Sequence, residues 1–509
     1  MMRDLKGTEY NLERFIVKCN NKKIVIFGAG QFGTYLYDKL VSNNIKVYAL
    51  CDNNEQHLND ISDKYPTKYV SELIPYISKL YFIIAVGNHE IQQEIKRQLL
   101  SLGVKPSRLV LPIDASDTSK IKLSISNIPY FAFRLEKWLD KYSKVLFRRI
   151  IKTHNNYIVL ESEGDYTDNV KVFYDYMINH NLNNKYKIIW MVHNPKKYKK
   201  ENNVKFVSRW NPLNLAANYY VASAKYFIFS HPYWLKNWKK DQIVINTSHS
   251  IAILKYVSNK EKTFNYVLSC SEYCTEMTKN VFGVSENNIL CIGMPRIDLL
   301  YHDYSEIKKI SPGYNGQKII LSVETFKQSY SLNNDSSRKD MYAINVVHDE
   351  KDLFELDNYL SEINALMIVK IHHLQNMRFI KMKKLKNIIY INDNFLQENN
   401  IVLNQLLTVA DIMLTDYSSV FYDYLVLNRP IGFLISDINE YTRGFLMENP
   451  LDEMPGEKIH DLQSLKIFLS SCINGKDTYE NERANIRKKV FVYNDDKNSE
   501  RLFKWISSH

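Results

Sequence analysis

Residues 410–431 read ADIMLTDYSSVFYDYLVLNRPI, and this stretch decides the fold of the C-terminal part of the chain. The apolar run at 412–415 predicts a strand, and residues 416–419 predict the turn that follows it. Residues 420–427 then carry a helical pattern, which the Arg-Pro pair at 429–430 ends. A strand, a turn and a helix in this order indicate an α/β fold.

Ser418 and Ser419 therefore lie at the amino end of the predicted helix. Free backbone N–H groups, the helix dipole and two hydroxyls converge at this position, which predicts an anion-binding site. The alternative is a plain N-cap that serves only the helix.

Three more apolar runs upstream predict strands: QKIILSVETF (317–326), IVKIHH (368–373) and NIIYIND (387–393). Lys370, His372 and His373 cluster at the end of the second run. Two histidines beside a lysine suit a metal ion, but no carboxylate or cysteine stands at a recognisable ligand spacing. Phosphate contact is therefore the better prediction.

The middle of the chain also alternates predicted strands and helices. The run QIVINTSHS (242–250) leads from an apolar strand directly to His249. Open α/β sheets hold their ligands beyond the carboxyl ends of their strands, and histidine suits general base catalysis near neutral pH. The alternative is a loop histidine without a role.

Arg296 follows the next strand, in the sequence GMPRIDLL (293–300). An arginine in a turn beside a cleft suits phosphate binding. A surface ion pair with Asp298 explains the same pattern equally well.

The N-terminal region carries a second glycine-rich signal, KIVIFGAGQFG (23–33). Gly28, Gly30 and Gly33 follow an apolar run, and the next strand stops just before Asp52. This spacing is typical of a dinucleotide fingerprint, in which glycines let the backbone approach a pyrophosphate. The ligand stays open between a nucleotide, a nucleotide-sugar and NAD, and a purely scaffolding domain is the further alternative.

A basic amphipathic segment joins this region to the rest of the chain. Its apolar residues fall at helical spacings, namely Phe131, Leu135, Trp138, Tyr142, Leu146 and Ile150. Lysines and arginines crowd its other positions. The helix therefore lies on an anionic membrane, or it packs on the next domain with a solvated basic face.

Composition limits the partners and the compartment. The 509 residues carry a formal net charge of +11, which indicates an acidic partner, but no nucleic-acid motif or basic tail is present. The six cysteines are scattered, which favours a reducing cytoplasm without structural zinc. The polar N-terminus and the absence of an apolar run of about 18 residues predict neither a signal peptide nor a membrane span.

Several sequence segments resemble segments of the CDP-glycerol glycerophosphotransferases, which build teichoic-acid-like polymers, and they occur in the same order. The blocks are ESEGDYTDNVKVFYDY (161–176), NTSHSIAILK (246–255), GMPRIDLL (293–300), ILSVETFK (320–327), IVKIHH (368–373), LTDYSSVFYDYLVLNRPI (414–431) and SDINEYTRGFLMENPLDEMPGE (436–457). Three blocks depart from the family pattern. Its Trp-His-Gly is here Ser-His-Ser, its Pro-Thr-Trp-Arg is Glu-Thr-Phe-Lys, and its Lys-x-His-Pro ends in His373, which leaves the donor and acceptor open.

The resemblance implies a GT-B-like pair of Rossmann-like domains preceded by a small N-terminal Rossmann-like domain. The expected boundaries are 1–115 for the small domain, 116–154 for the basic linker, 155–310 for the acceptor-side domain and 311–509 for the donor-binding domain. The small domain separately resembles nucleotide-sugar-binding domains found beside bacterial surface-polysaccharide enzymes.

The family further implies transfer of glycerol phosphate or ribitol phosphate from a CDP-linked donor to a glycan or lipid-linked acceptor, with release of CMP. His249 is the expected base, and His372 is expected near the donor phosphates. The other expected donor-binding residues are Arg296, Lys370, Thr415, Asp416, Ser418, Ser419, Asp423, Thr325 and Lys327. No cofactor is expected, and a divalent metal is compatible with the diphosphate but not indicated.

The expected location is the cytoplasm, on the inner face of the bacterial cell membrane. Two other functions stay open. A GT-B glycosyltransferase would move a sugar from a nucleotide-sugar, and a binding or scaffold protein would bind a nucleotide without turnover.

Overall fold

The computed structural model describes residues 22–42, 45–59, 61–86, 89–110, 142–208, 215–230, 238–251, 264–327, 341–372, 375, 380–441 and 444–509. Two compact units make up the chain. The first is built mainly on Met1–Trp138, and the second on Leu139–Gln328, Asn334–Gln375 and Phe379–His509. The predictions for 116–141, including Phe131, Leu135 and Trp138, and for His373 lie outside the described residues.

The first unit contains a four-stranded parallel sheet. Its strands are β1 (Ile24–Phe27), β2 (Val47–Cys51), β3 (Tyr81–Ile84) and β4 (Leu109–Val110). Its helices are α1 (Gln31–Ser42), α2 (Glu55–Asn59), α3 (Val70–Leu73) and α4 (His89–Ser101). The spatial order β2-β1-β3-β4 reverses direction between β1 and β3. The predicted Rossmann-like arrangement is therefore confirmed, and the glycine-rich turn after β1 lies at the reversal.

The second unit begins with a seven-stranded parallel sheet. Its strands are β5 (His154–Glu161), β6 (Lys187–Val192), β7 (Val204–Ser208), β8 (Ala224–Phe229), β9 (Ile243–Asn246), β10 (Tyr266–Ser269) and β11 (Ile289–Cys291). Its helices are α5 (142–150), α6 (Asp168–Asn179), α7 (Leu215–Ser223), α8 (Glu272–Phe282) and α9 (Ile307–Ile310). The order β11-β10-β9-β8-β5-β6-β7 reverses between β5 and β8.

A six-stranded parallel sheet completes the second unit. Its strands are β12 (Lys318–Val323), β13 (Ala365–Lys370), β14 (Ile388–Ile391), β15 (Ile412–Thr415), β16 (Ile431–Leu434) and β17 (Glu457–Ile459). Its helices are α10 (Glu350–Glu362), α11 (Asp393–Glu398), α12 (Leu403–Val409), α13 (Val420–Tyr424), α14 (Leu462–Ile473), α15 (Glu480–Val490) and α16 (Asn498–Ser508). The order β14-β13-β12-β15-β16-β17 reverses between β12 and β15.

The two sheets of the second unit are held together by a shared core and by the last helix. One cluster of buried apolar side chains runs from Trp190 on β6 to Phe421 on α13. The carboxylate of Asp298 accepts hydrogen bonds from the backbone N–H groups of Asn498 and Ser499, at 2.8 Å each, so it caps α16. The alternative ion pair between Arg296 and Asp298 is therefore wrong, because the Asp298 carboxylate is committed to this cap.

Helix α5 packs on the seven-stranded half through the buried Ser143 and the half-buried Phe147. On the packed face, the Ser143 hydroxyl accepts a 2.9 Å hydrogen bond from Asn218, and the ring of Phe147 contacts Tyr219 edge-on. The helix also exposes four apolar side chains, namely Tyr142, Val145, Leu146 and Ile150. Within the described ranges, no helix combines the length and the apolar character needed to cross a bilayer.

Candidate functional site

The strand-order reversals predict where the second unit binds its ligands. Parallel sheets bind ligands beyond the carboxyl ends of the strands that flank such a reversal. In the six-stranded half these ends lead to Thr325 after β12 and Asp416 after β15, and in the seven-stranded half β5 leads to Asp165 and Asp168. Direct bonds between side chains of the two halves show that these edges meet.

Arg296 makes the most extensive of these contacts. Its Nε and Nη2 donate to the two carboxylate oxygens of Asp423 on α13, at 2.8 and 3.2 Å. Its Nη1 donates to Asp168 at 2.9 Å and to the backbone carbonyl of His249 at 2.8 Å. Arg296 is buried, and so is Asp423, which also accepts a bond from Asn404. Direct phosphate binding by Arg296 stays a prediction, but most of its N–H groups already have acceptors.

Asp168 joins this bridge to the predicted base. Its second oxygen lies 3.4 Å from Nδ1 of His249, whose side chain is 59% exposed. Burial would raise the pKa of Asp168, but the charge of Arg296 and the contact with His249 hold it well below its usual range. The carboxylate is therefore ionised at neutral pH, and it can orient the imidazole and stabilise its protonated form.

The loop that carries Asp168 has an unusual backbone. Gly164, Asp165, Tyr166 and Asp168 all have φ between 58° and 76°. Left-handed backbone is uncommon for residues other than glycine and costs about 1 kcal/mol or more at each position. Asp165 uses this geometry to bind the next strand end, where its carboxylate accepts from the backbone N–H of His193 and contacts Nδ1 of that histidine at 2.8 Å.

A buried charge cluster lies at the carboxyl ends of β12 and β15 in the six-stranded half. The ammonium of Lys327, only 2% exposed, lies 3.0 Å from Asp416 and 3.0 Å from Asp437. Thr325 donates to Asp416 through its hydroxyl at 2.6 Å and its backbone N–H at 2.9 Å. Burial opposes the charge of Lys327, but the two carboxylates outweigh it and raise the pKa of Lys327 above its usual value. Thr325, Lys327 and Asp416 therefore bind one another.

The remaining predicted donor residues differ in exposure. Thr415 is buried, and its hydroxyl donates to the carbonyl of Val323 at 2.6 Å. Lys370 is also buried and pairs with Asp393 on α11 at 2.8 Å.

Ser418, Ser419 and His372 are half-buried, so they are more exposed than Thr415 and Lys370. Ser419 is the N-cap of α13, but its side chain makes no capping hydrogen bond. Because α13 has only five residues, the two hydroxyls support an anion site better than the helix dipole does.

In the glycine-rich turn of the first unit, two glycines pack against backbone atoms and one faces the solvent. A Cβ on Gly28 would lie 2.5 Å from the carbonyl oxygen of Ala85, and a Cβ on Gly33 would lie 1.7 Å from the carbonyl oxygen of Gly28. Gly30 has nothing within 4 Å of the position its Cβ would take. Asp52 accepts a 2.7 Å hydrogen bond from the backbone N–H inside this turn, at Ala29.

The sequence reading missed the acidic partners of the two histidines. Asp168 and Asp165 both lie in the block at 161–176, but neither was singled out as a functional residue. The available signal was their position: they follow β5, one of the two strands at the reversal. Their histidines are 81 and 28 residues away in sequence, so the pairing needed the fold.

A metal site finds no support in the described part of the chain. There, no group of three or more His, Cys, Asp and Glu side chains is arranged to hold a metal ion. Cys270 and Cys274 are buried within the apolar core.

Two families match separate parts of the chain. The family described as CDP-Glycerol:Poly(glycerophosphate) glycerophosphotransferase matches residues 143–508. The family described as C2185-like, N-terminal, matches residues 20–110.

Similar proteins of known function come from teichoic acid synthesis. The teichoic acid poly(glycerol phosphate) polymerase of Staphylococcus epidermidis is 27% identical over 336 residues, which cover 59% of this chain and 43% of that protein. The teichoic acid glycerol-phosphate primase of Bacillus subtilis is 30% identical over 282 residues, which cover 50% of this chain and 68% of the primase. The chain thus spans less than half of the first relative and about two thirds of the second.

The solved structure of the wall teichoic acid polymerase TagF has the same fold as the second unit. It superposes with a TM-score of 0.59 at 22% sequence identity, and the superposed region covers 74% of this chain and 94% of the TagF chain. A variant of TagF with CDPG gives a TM-score of 0.58 at 24% identity, covering 72% and 93%. The predicted GT-B-like architecture is confirmed.

The buried cluster around Lys327 generates a stability prediction. Lys327→Met leaves Asp416 and Asp437 buried without their shared cation, and we expect a loss of about 3–5 kcal/mol in the free energy of unfolding. Urea unfolding followed by circular dichroism measures it. The matched control is Lys318→Met at the start of β12, the strand that leads to Lys327; it removes a more exposed pair with Asp411 and costs at most about 1 kcal/mol. Equal losses of unfolding free energy in both variants would show that the buried cluster stabilises the protein no more than the exposed pair does.

Proposed function

Because the chain belongs to the CDP-glycerol:poly(glycerophosphate) glycerophosphotransferase family, we propose that it transfers a polyol phosphate from a CDP-linked donor. The polyol is glycerol or ribitol, the acceptor is a hydroxyl of a teichoic-acid-like chain or another surface glycan, and CMP is released. The relatives named for glycerol phosphate and ribitol phosphate support this choice of donors. The observation that carries the proposal is the contact of His249 with Asp168, which Arg296 links to the donor half.

In the proposed reaction, His249 acts as the general base. Its Nδ1 faces Asp168, so the opposite ring nitrogen, Nε2, takes the proton of the acceptor hydroxyl. The acceptor oxygen then forms a bond to the phosphorus attached to the polyol. The bond from that phosphorus to the bridging oxygen of the diphosphate breaks, and its electron pair leaves with CMP. Asp168 stabilises the imidazolium that results.

The donor half contributes position and charge in this mechanism. We assign the diphosphate to the edge formed by Ser418, Ser419 and His372, whose side chains are half-buried. The cluster of Lys327, Asp416 and Thr325 lies beneath this edge and fixes the turns after β12 and β15. Phosphoryl transfer depends mainly on such positioning and on charge stabilisation.

If His249 is the base, its removal should lower the rate of catalysis and leave donor binding unchanged. His249→Ala should lower the rate of CMP release by about 10²–10⁴-fold, because the proton has no acceptor. Asp168→Asn should also lower it, by a smaller factor, since asparagine tolerates the left-handed backbone but carries no charge. Stabilisation of both variants by CDP-glycerol in thermal unfolding should stay near the wild-type value.

The matched control is Asp175→Asn on the same helix, whose carboxylate pairs with Lys171 instead of a histidine. Normal turnover in Asp168→Asn would contradict the base assignment. Release of a nucleoside diphosphate from a nucleotide-sugar, instead of CMP, would favour the glycosyltransferase.

We also propose that the enzyme works on the inner face of the cell membrane and binds it through α5. The exposed face of this helix is apolar at four positions with helical spacing, with exposures between 48% and 60%, namely Tyr142, Val145, Leu146 and Ile150. Exposed Lys144, Arg149 and Lys152 lie among and beside them. An apolar stripe edged by basic residues suits the boundary of an anionic bilayer.

The membrane proposal predicts that Leu146→Glu with Ile150→Glu reduces sedimentation with anionic phospholipid vesicles. The two carboxylates would have to enter the headgroup region against both desolvation and surface charge. Phe354→Glu is the control, because Phe354 is an exposed aromatic side chain on α10 in the same unit. Unchanged vesicle binding in the double variant, or an equal loss in the control, would contradict a contact through α5.

For the first unit we propose a nucleotide-type ligand at the turn of Gly28, Gly30 and Gly33. Packing accounts for Gly28 and Gly33, whereas Gly30 faces open space and is exposed. In dinucleotide folds the middle glycine of this motif lets the backbone approach a pyrophosphate. Asp52 lies close enough to the turn to accept a bond from it, which is the side on which a ribose would lie.

This site predicts a ligand whose stabilising effect depends on Gly30. Gly30→Val should fold normally, since its Cβ meets no atom, but it fills the space that the phosphates need. Thermal unfolding is screened with NAD, UDP-sugars, CMP and CDP-glycerol. A ligand of the first unit stops raising the Tm of Gly30→Val but still raises that of Ser418→Ala with Ser419→Ala. If no compound behaves in this way, the turn is a scaffold.

A further inference from the structure

The loop that follows β6 is strongly basic and lies at the carboxyl edge of the seven-stranded half. It reads HNPKKYKK (193–200), and Lys196, Lys197, Lys199 and Lys200 are all exposed. Lys199 pairs with Glu201 at 3.4 Å, and Lys197 donates to Gln397 at 2.9 Å. Lys196 and Lys200 have no ion-pair partner among the residues that the structure describes.

This loop is fixed at both ends. At its start, the carboxylate of Asp165 binds the backbone N–H and the Nδ1 of His193. Near its end, the ring of Tyr198 stacks on Phe206, with centroids 4.9 Å apart and planes 15° from parallel. A solvated charged surface does not need such anchoring, and lysines held in place lose less entropy when they bind an anion.

The basic loop also lies beside the proposed base. Asp165 holds His193 and Asp168 contacts His249, and the two aspartates are three residues apart in one strained loop. Their Cα atoms can therefore be at most about 11 Å apart. An acceptor whose hydroxyl reaches His249 has to extend from there, and the basic loop is on the acceptor side of the cleft.

We propose that residues 193–200 form an anion subsite for a phosphate group of the acceptor, separate from the site of the donor diphosphate. Lys196 and Lys200 supply the charge, and Asp165 keeps the loop in place. The proposal rests on the proposed function and narrows it: the acceptor carries phosphates close to the reacting hydroxyl, as a polyol-phosphate chain or a lipid-linked diphosphate does, and a neutral glycan does not fit.

The test compares the wild type with a double variant that carries both Lys196→Gln and Lys200→Gln. The probe is a fluorescently labelled oligo(glycerol phosphate), and its binding to the full chain is measured by fluorescence anisotropy at low and high salt. We expect the Kd to rise about five- to thirtyfold at low salt, because two exposed charge pairs are lost, and its salt dependence to weaken. The control variant, Lys384→Gln with Lys488→Gln, removes two exposed lysines elsewhere in the unit.

Competition identifies the source of the phosphate. Displacement of the probe by unlabelled oligo(glycerol phosphate) or by a short-chain prenyl diphosphate sugar supports the subsite, and the stronger competitor indicates the natural acceptor. Equal displacement by a neutral oligosaccharide of the same length, or an unchanged Kd in the lysine variant, overturns it.

Because binding is measured without turnover, the subsite and the proposed function are tested independently, and one can be disproved without the other. If no CDP-linked donor yields CMP but probe binding still depends on the two lysines, the proposed function is wrong and the anion subsite stands. If CMP is released, the lysine variant should show a raised KM for the acceptor and an unchanged kcat. A lowered kcat with an unchanged KM would overturn the binding role.

Discussion

Arg296 carries a buried positive charge between carboxylates that belong to opposite halves of the second unit. Burial by itself would lower the pKa of this guanidinium, but Asp423 and Asp168 raise it, so the charge is retained. In return, Arg296 helps to keep Asp168 ionised far below the usual carboxyl pKa. Since the folded-state pKa of Asp168 is depressed, the stability it contributes is present above pH about 4 and is lost as the pH falls further. The bridge is therefore intact at neutral pH.

The strained loop at 164–168 depends on the same bridge. Several left-handed residues in one short loop are unfavourable unless the surroundings compensate for them. Compensation comes from the ion pair of Asp168 with Arg296, the bonds of Asp165 to His193, and a 3.0 Å hydrogen bond that Gln397 donates to the carbonyl of Gly164. The strain has a structural result, because it directs two carboxylates three residues apart at two different histidines.

Local patterns in the sequence predict those candidate site residues that one strand and its turn determine. His249, Ser418 and Ser419 are candidates because each follows an apolar run that ends in polar residues. The resemblance to a family then supplied the order of the domains and the expected chemistry. These sources of information were enough for the fold class.

Pairing between distant residues could not be predicted in the same way. The choice of Asp423 over Asp298 as the partner of Arg296 depends on how the two halves pack, and the residues concerned are 127 positions apart. Similarly, Thr325, Lys327 and Asp416 were predicted as separate donor contacts, but they form one buried cluster with Asp437. A sequence pattern identifies polar residues at strand ends, whereas only the fold decides which of them bind each other and which face a ligand.

The contacts across the cleft have a consequence for when the base is ready to act. Asp423 and Gln397 are both in the six-stranded half, and they bind Arg296 and the loop at 164–168 in the seven-stranded half. Moving the halves apart would break both contacts at once. Arg296 would then lose its bidentate partner, and the loop would lose one of the bonds that offset its strain. The contact of His249 with Asp168 is therefore most secure when the six-stranded half is in place. In the proposed mechanism, this ties activation of the acceptor hydroxyl to the half to which we assign the donor.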